Sequence, residues 1–225
     1  MSIIRVAIDG PSGAGKSTLA KAAAKALGFL YVDTGALYRT IGLYVCNQGI
    51  DPSDEAVVAT ALPEIRVELR YDASGTQRML LNGEDVSGEI RLPEISRYSS
   101  AVSALPAVRA YLLETQRNLA SKHSVIMDGR DIGTVVLPDA EVKVFLTASA
   151  QVRAERRSRD LEKMGTPQPF KEVLRDIEER DWRDTHRDTA PLRQAEGAVL
   201  LDTSEMDFQE SQAALLAIIR ERVGQ

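Results

Sequence analysis

The sequence predicts an α/β fold, with a central parallel sheet, flanking helices and a small antiparallel insertion. Three observations carry this expectation. The apolar run Ile3-Ile4-Arg5-Val6-Ala7-Ile8 leads into Gly10-Pro11-Ser12-Gly13-Ala14-Gly15-Lys16-Ser17-Thr18, and an Ala-rich, helix-like run follows from Leu19 to Leu27. Strand, loop, helix is the context that a phosphate-binding loop of the form G-x4-G-K-[S/T] requires. Phe29-Leu30-Tyr31-Val32 then reads as a second buried strand, so that strand, helix, strand opens an α/β sheet whose ligands sit beyond the carboxyl ends of its strands. Finally, Ile65, Val67, Leu69 and Tyr71 alternate with other residues, which marks a half-buried strand outside the parallel sheet.

A chain of 225 residues with 44% hydrophobic content supports one substantial core with insertions. Its 28 basic and 33 acidic residues, net -5, argue against a nucleic-acid polymer as the main partner, although a local basic cleft is compatible with them. The single cysteine, Cys46, excludes a disulfide framework or a cysteine zinc cluster and reads as a small buried apolar residue. With only His123 and His186, neither a histidine metal site nor a histidine base is expected. No apolar run approaches membrane-spanning length and no signal-peptide pattern opens the chain, so a soluble cytoplasmic enzyme is expected.

In the phosphate loop, backbone N–H groups and the positive end of the following helix face the anion, Lys16 reaches the outer phosphates, and Ser17 offers a hydroxyl to a nucleotide-bound magnesium ion. The helix stops at Gly28, and Asp33-Thr34-Gly35 falls at a strand end. From Ala36 to Val45, Leu37, Ile41 and Val45 recur four apart, and Arg39 on another face points either toward a cleft or into solvent. A short helix capped by Asp54 or Ser53 ends near Pro63. The strand through Tyr71, a turn at Ala73-Ser74-Gly75, a return strand Gln77–Leu81 and a tight turn at Asn82-Gly83 form an antiparallel meander with Met79 in its core.

Ile90–Ser103 reads as a helix entered near Pro93, and Pro106–Lys122 as another. Arg109, near the start of the second, opposes the helix dipole by about 0.3–1 kcal/mol unless solvent, a carboxylate or an anionic ligand compensates. Ser124–Met127 is a third core strand delivering Asp128-Gly129-Arg130-Asp131-Ile132-Gly133. There Asp128 suits either ordering magnesium-bound water or bracing the phosphate loop; Arg130 suits a bidentate phosphate contact, or else the acids and the arginine satisfy one another. Val142–Leu146 is a fourth strand, followed by a helix carrying Arg153, Arg156, Arg157 and Arg159. Arg153 and Arg157 share a cationic face, and Met164–Pro169 breaks the helix, either as a short mobile cap over a nucleotide with the arginines meeting an anion, or as a plain surface patch with a loop. In the next helix, from Phe170, the i, i+4, i+7 spacing of Arg180, Asp184 and Arg187 suits a carboxylate between two guanidiniums, or a plain ion-pair ladder; Trp182 is packing or surface stacking. Ala198–Asp202 and Phe208–Val223 supply the last strand and helix.

One phosphate loop, arginines from several elements and scattered carboxylates fit phosphoryl transfer between two small phosphorylated molecules, where positioning and charge neutralisation dominate. A guanine-reading N-K-x-D segment, which a nucleotide switch would carry, is lacking. Another small-molecule kinase, with UMP or AMP as acceptor, is the rival reading.

The chain resembles the bacterial cytidylate kinases over essentially its whole length. The resemblance rests on Gly10–Lys16, Asp33-Thr34-Gly35-Ala36-Leu37-Tyr38-Arg39, Gly83-Glu84-Asp85-Val86-Ser87, Asp128–Val136, and Arg180-Asp181 through Asp184, Arg187 and Ala190-Pro191-Leu192. It implies a P-loop NTP hydrolase-like three-layer sandwich, acting as a monomer, with ATP as donor, Mg2+ as cofactor and CMP or dCMP as acceptor. It implies that Gly10, Pro11, Ser12, Gly13, Ala14, Gly15, Lys16, Ser17 and Thr18, with Arg153 and Arg157, hold ATP. Lys16, Arg130, Arg180 and Arg187 would form the catalytic set, and Ser17, with Asp128 through water, would serve the metal. Arg39, Arg130 and Arg187 would hold the acceptor phosphate, Arg180 lying close to the phosphates. Ser100, Arg109 and Asp131 would surround cytosine, Asp184 would take the sugar hydroxyl, and Thr34 would lie near the acceptor; Ser99 competes with Ser100. A monophosphate-binding region at 36–90 would contain the 64–86 antiparallel insert, and 153–170 would form a short lid within one domain spanning 1–225.

Overall fold

Periodicity becomes structure in the following order: β1 (Arg5–Asp9), α1 (Lys16–Leu27), β2 (Leu30–Asp33), α2 (Thr34–Asn47), α3 (Glu55–Ala61), β3 (Val67–Tyr71), β4 (Gln77–Leu81), β5 (Glu84–Asp85), α4 (Pro93–Val102), α5 (Pro106–Lys122), β6 (Val125–Gly129), β7 (Val142–Thr147), α6 (Ala150–Lys163), α7 (Phe170–His186), β8 (Val199–Asp202) and α8 (Phe208–Val223). The computed structural model describes residues 3–224. The chain divides into two compact units: one runs up to Tyr31 and resumes at Lys122, and the other is Val32–Ser121.

The first unit carries the five-stranded sheet, in the order β2-β6-β1-β7-β8. β1 lies between β6 and β7, parallel to both, with Asp9 level with Gly129 on one side and Phe145 on the other. The carboxyl ends of β1 and β6 therefore deliver the phosphate loop and the Asp128–Gly133 segment side by side. The alanines of α1 allow close packing: Leu19, Ala20, Ala23 and Ala24 share a core with Val6, Ile8, Ile126, Val144, Leu215 and Ile219. A separate cluster of Ala154, Leu161, Val173 and Ile177 joins α6 to α7.

In the second unit one core contains Leu37, Ile41 and Val45 of α2, together with Met79, Leu81, Ile95, Val102, Val108 and Leu112. A Cβ on Gly42 would stand 2.9 Å from the backbone nitrogen of Ser99, so glycine there permits the close crossing of α2 and α4. The three-stranded antiparallel sheet β3-β4-β5 is the expected meander, and Met79 is buried in its core. Its tight turn follows from Asn82 and Gly83, both left-handed at φ 51° and 93°.

The differences from expectation are local. The helix anticipated over Ile90–Ser103 divides into a 3-10 turn, Glu89–Arg91, and α4, which begins at Pro93 because proline lacks an N–H for an earlier turn. Cys46 is partly buried, packed against the second unit's core, where full burial was expected. A turn of π-helix, Ile132–Val136, follows the Asp128–Asp131 segment and left no periodic signal.

Candidate active site

The phosphate loop is shaped by three glycines. Gly10 takes φ 151°, and a Cβ there would lie 1.9 Å from the Leu146 carbonyl oxygen, so only glycine lets the loop leave β1 against β7. Gly13 and Gly15 are left-handed at φ 76° and 89°. Lys16 is buried and donates from Nζ to the Pro11 carbonyl at 2.7 Å. Burial first, and then the Arg130 guanidinium, push the Lys16 ammonium well below its usual range, against the pull of Asp128. A buried ammonium among guanidiniums is stabilised by an arriving polyphosphate.

Behind the loop, Ser17 donates from Oγ to Asp128 Oδ2 at 2.7 Å, and the Tyr31 hydroxyl donates to Oδ1 at 2.8 Å. Of the roles open to Asp128 from sequence, bracing the phosphate loop is visible in this geometry. Hydroxyl and carboxylate oxygens are hard donors that suit Mg2+, and no cluster of three or more His, Cys, Asp or Glu capable of holding a metal exists among the described residues. The donor set fits an ion completed by phosphate oxygens and water, held near Ser17 with Asp128 behind it.

The arginines of α6 divide. Arg153 is buried and donates from Nε to the Ala148 carbonyl (2.8 Å), from Nη1 to the Ser12 carbonyl (3.0 Å), and through Nη1 and Nη2 to both oxygens of Asp181 (3.1 and 2.5 Å). Arg156 reaches the Ala14 carbonyl (3.2 Å) and the Thr203 carbonyl and hydroxyl (2.8 and 3.2 Å). The expectation placed Arg153 on nucleotide; its guanidinium instead binds the phosphate loop's backbone and α7. Sequence reasoning passed over Arg156 and Asp181 in this role, because both read as members of surface charge runs. Arg157, half-buried, makes no hydrogen bond or ion pair among the described residues.

The guanidinium set beyond β6 gathers around one carboxylate. Arg130 donates from Nε to Asp184 Oδ2 at 2.7 Å, with side chains 19% and 8% exposed. The sequence alternative in which Arg130 pairs with its flanking acids does not occur as a hydrogen bond. Burial alone would raise the Asp184 carboxyl, but Arg130, Arg180 and Arg187 outweigh it and hold it below its ordinary value. α7 ends at His186, so Arg187 lies just past the helix, in extended backbone, and the expected i+7 position on a helical face is replaced by a turn. Its Nε donates to the carbonyl of Ala190, at 2.8 Å; Ala190 is one of two non-glycine residues with positive φ (49°) among the described residues. Its Nη2 lies 3.8 Å from Asp131 Oδ1. Trp182 is exposed and stacks on the His186 ring, 4.8 Å between centroids, which settles the sequence choice for surface stacking.

Asp9 gave no signal, since a lone acid at the end of an apolar run carries no motif. It is buried, and it accepts from the backbone N–H of Ile132 (2.7 Å) and Gly133 (2.8 Å). Desolvation dominates over these two hydrogen bonds and pushes its carboxyl up to about 6.

In the second unit, Thr34 begins α2 and is buried, and Asp33 caps that helix by accepting from Ala36 N at 3.0 Å. Arg39 donates to the Ile90 carbonyl (3.2 Å) and the Ser96 hydroxyl (3.0 Å). Arg109 is buried, donates to the Ser103 carbonyl at 3.0 Å and lies 5.6 Å from the Tyr38 ring centre; these contacts offset its unfavourable helix position. Ser99 is buried against Gly42, whereas Ser100 is half-exposed.

A phosphate-cradling loop beside a buried lysine and a set of gathered guanidiniums is the equipment of a P-loop phosphotransferase. Within that class the chain belongs to the cytidylate kinase family, whose model matches residues 6–221. A cytidylate kinase of Lactobacillus johnsonii is 46% identical over 220 residues, covering 98% of this chain and 95% of its own. One of Caldanaerobacter subterraneus is 50% identical over 208 residues, covering 92% and 90%. Among solved structures, an uncharacterized protein from Eubacterium ventriosum matches with a TM-score of 0.53 at 13% identity, covering 96% of this chain and 98% of its own, a likeness of fold alone.

Proposed function

We propose that this protein transfers the γ-phosphoryl group of ATP to CMP or dCMP, giving ADP and CDP or dCDP. The observation that carries the reading is the gathering of Arg130, Arg180 and Arg187 about the Asp184 carboxylate, with Arg130 Nε 2.7 Å from Oδ2, next to a buried Lys16 whose ammonium Arg130 and Arg180 disfavour. Such a site concentrates positive charge for two phosphorylated molecules, whose mutual repulsion must be neutralised before they react.

In this reading Gly10–Thr18 cradle the ATP phosphates, and Lys16 turns from the Pro11 carbonyl to the β- and γ-phosphates. Arg157 supplies a further contact to ATP. Mg2+, held near Ser17 and Asp128, supplies charge neutralisation at the nucleotide phosphates when bound. A phosphate oxygen of the acceptor attacks the γ-phosphorus in line, and the bond to the bridging oxygen of ADP breaks. Lys16, Arg130, Arg180 and Arg187 stabilise the equatorial oxygens. An anionic acceptor needs no strong base. Arg39, Arg130 and Arg187 hold the acceptor phosphate, Asp184 its sugar hydroxyl, and Ser100, Arg109 and Asp131 the cytosine, with Thr34 near the acceptor. Residues 153–170, in the first unit, act as a lid, and 36–90, in the second, is the monophosphate-binding region.

No helix among the described residues is long and apolar enough to cross a membrane. The reading places the enzyme in the cytoplasm as a monomer, which light scattering on the purified protein tests. The activity is tested by ATP consumption with CMP, dCMP, UMP, AMP and GMP offered singly. Turnover is expected with the two cytidine nucleotides; a preference for AMP or UMP would overturn the assignment.

A further inference from the structure

Asp131 occupies the position before the π-helical turn Ile132–Val136, where aspartate ordinarily caps the turn's first N–H groups with its own side chain. It makes no such bond. Asp9, from the end of β1, accepts the N–H of Ile132 at 2.7 Å and of Gly133 at 2.8 Å in its place. The approach is close: a Cβ on Gly133 would stand 3.4 Å from Asp9 Oδ2 and 3.2 Å from the Ala195 Cβ, so glycine makes room for the clasp. Because Asp131 does not cap its own turn, its carboxylate is turned to the Arg187 side, 3.8 Å from Nη2.

We propose that Asp9 is a positioning residue for acceptor recognition, capping the Ile132–Val136 turn in place of Asp131 and so holding the Asp131 carboxylate out toward the substrate. The proposal rests on the reading of Asp131 as the group that recognises cytosine. Asp9 is also the residue immediately before Gly10, so one backbone carries both the phosphate loop and the clasp on the segment that reads the acceptor. Without Asp9 both N–H groups lose their acceptor, and Asp131, at the capping position, would swing in to take the Gly133 N–H and abandon the substrate.

A double-mutant cycle between Asp9→Ala and Asp131→Ala tests this. Asp9→Ala in the full-length enzyme is expected to raise KM for CMP about tenfold with little change in KM for ATP, to lower the preference for CMP over UMP, and to add less than about twofold once Asp131→Ala is present. Multiplicative effects, or equal loss toward both substrates, would assign Asp9 a general structural role and overturn the proposal. If Asp131→Ala alone leaves CMP saturation and the preference over UMP intact, the reading of Asp131 fails and the proposal falls with it. If Asp131→Ala has its effect and Asp9→Ala does not, the proposal alone fails. Should Asp9→Ala not fold, Asp9→Asn enters the same cycle, since it keeps the side chain's shape and one accepting oxygen while setting an NH2 against the second backbone N–H. Hydrogen exchange supplies a readout besides turnover: the Ile132 and Gly133 amides are both expected to exchange faster in Asp9→Ala, and one of the two in Asp9→Asn, and unchanged protection would overturn the clasp.

Discussion

Two groups of arginines serve the phosphate loop, and they are used in opposite ways. Arg153 and Arg156 donate to carbonyls of Ser12 and Ala14 and, in the case of Arg153, to both oxygens of Asp181. Their hydrogen-bonding capacity is committed to the protein. Arg130, Arg180 and Arg187 instead act together on Asp184, and the first two push the Lys16 ammonium down. One pair of guanidiniums is bonded to the loop's own carbonyls; the other set is drawn together around Asp184, with Asp131 beside Arg187. Proximity to the loop does not separate the two groups, but the identity of their partners does: loop carbonyls for one, the Asp184 carboxylate for the other.

Removing the lysine is the largest perturbation the comparison foresees. Lys16→Ala deletes a buried cation aimed at transferring charge, and turnover is expected to fall by about 100- to 1,000-fold with the circular dichroism of the fold unchanged. Near-normal turnover would mean that the loop does not act on the nucleotide.

The next pair of variants sets the two arginine groups against each other. Asp184→Ala leaves three guanidiniums without their shared carboxylate, and is expected to destabilise the enzyme by about 3 kcal/mol in urea unfolding and to raise KM for CMP. Arg153→Ala frees the Ser12 carbonyl and strands Asp181, with a comparable loss of stability, but its kinetic signature should fall on KM for ATP. Identical kinetic signatures for the two would erase the distinction.

Asp9 provides a pH test of the loop's other support. Its carboxyl is pushed up to about 6, above the unfolded value near 3.8, with Asp131 adding to the shift and Lys16 opposing it. Protonated Asp9 therefore favours the folded state: its stabilising contribution is fully present below pH 4 and is lost as pH rises through about 6, by about 3 kcal/mol. Measured as wild-type stability minus that of Asp9→Asn, the difference should decline between pH 4 and 6 and be flat above. A difference independent of pH would show that folding leaves the Asp9 carboxyl at its ordinary value.

Local signals carried most of the fold. Proline at the first turn and a terminal apolar stripe were enough to place α5 at Pro106–Lys122 and α8 at Phe208–Val223, as the structure has them. The phosphate loop was legible because its glycines answer a backbone requirement that sequence spacing records. The Asp9 clasp and the Arg153–Asp181 brace were not legible, because each joins residues far apart in the chain, 123 or more positions for Asp9 and 28 for Arg153. A buried acid at a strand end looks like any other polar residue until the turn it caps is built. Arg109 shows the reverse: the helix-dipole conflict was visible, but its resolution by the Ser103 carbonyl and the Tyr38 ring required the fold.

The smallest effect separates neighbouring serines. Ser99 is buried where α4 crosses Gly42 of α2, and a Cβ on that glycine would meet the Ser99 backbone nitrogen at 2.9 Å. Ser100, one step around the helix, is half-exposed, and its carbonyl accepts the Ser103 hydroxyl at 2.9 Å, leaving the side chain outside that bond. Ser100→Ala should therefore raise KM for CMP several-fold, about 1 kcal/mol, with the melting temperature unchanged. Ser99→Ala should do the opposite, shifting stability slightly and CMP saturation not at all. An effect on CMP from Ser99 in place of Ser100 would mean that the helix presents its packed side to the acceptor, in conflict with the Gly42 crossing.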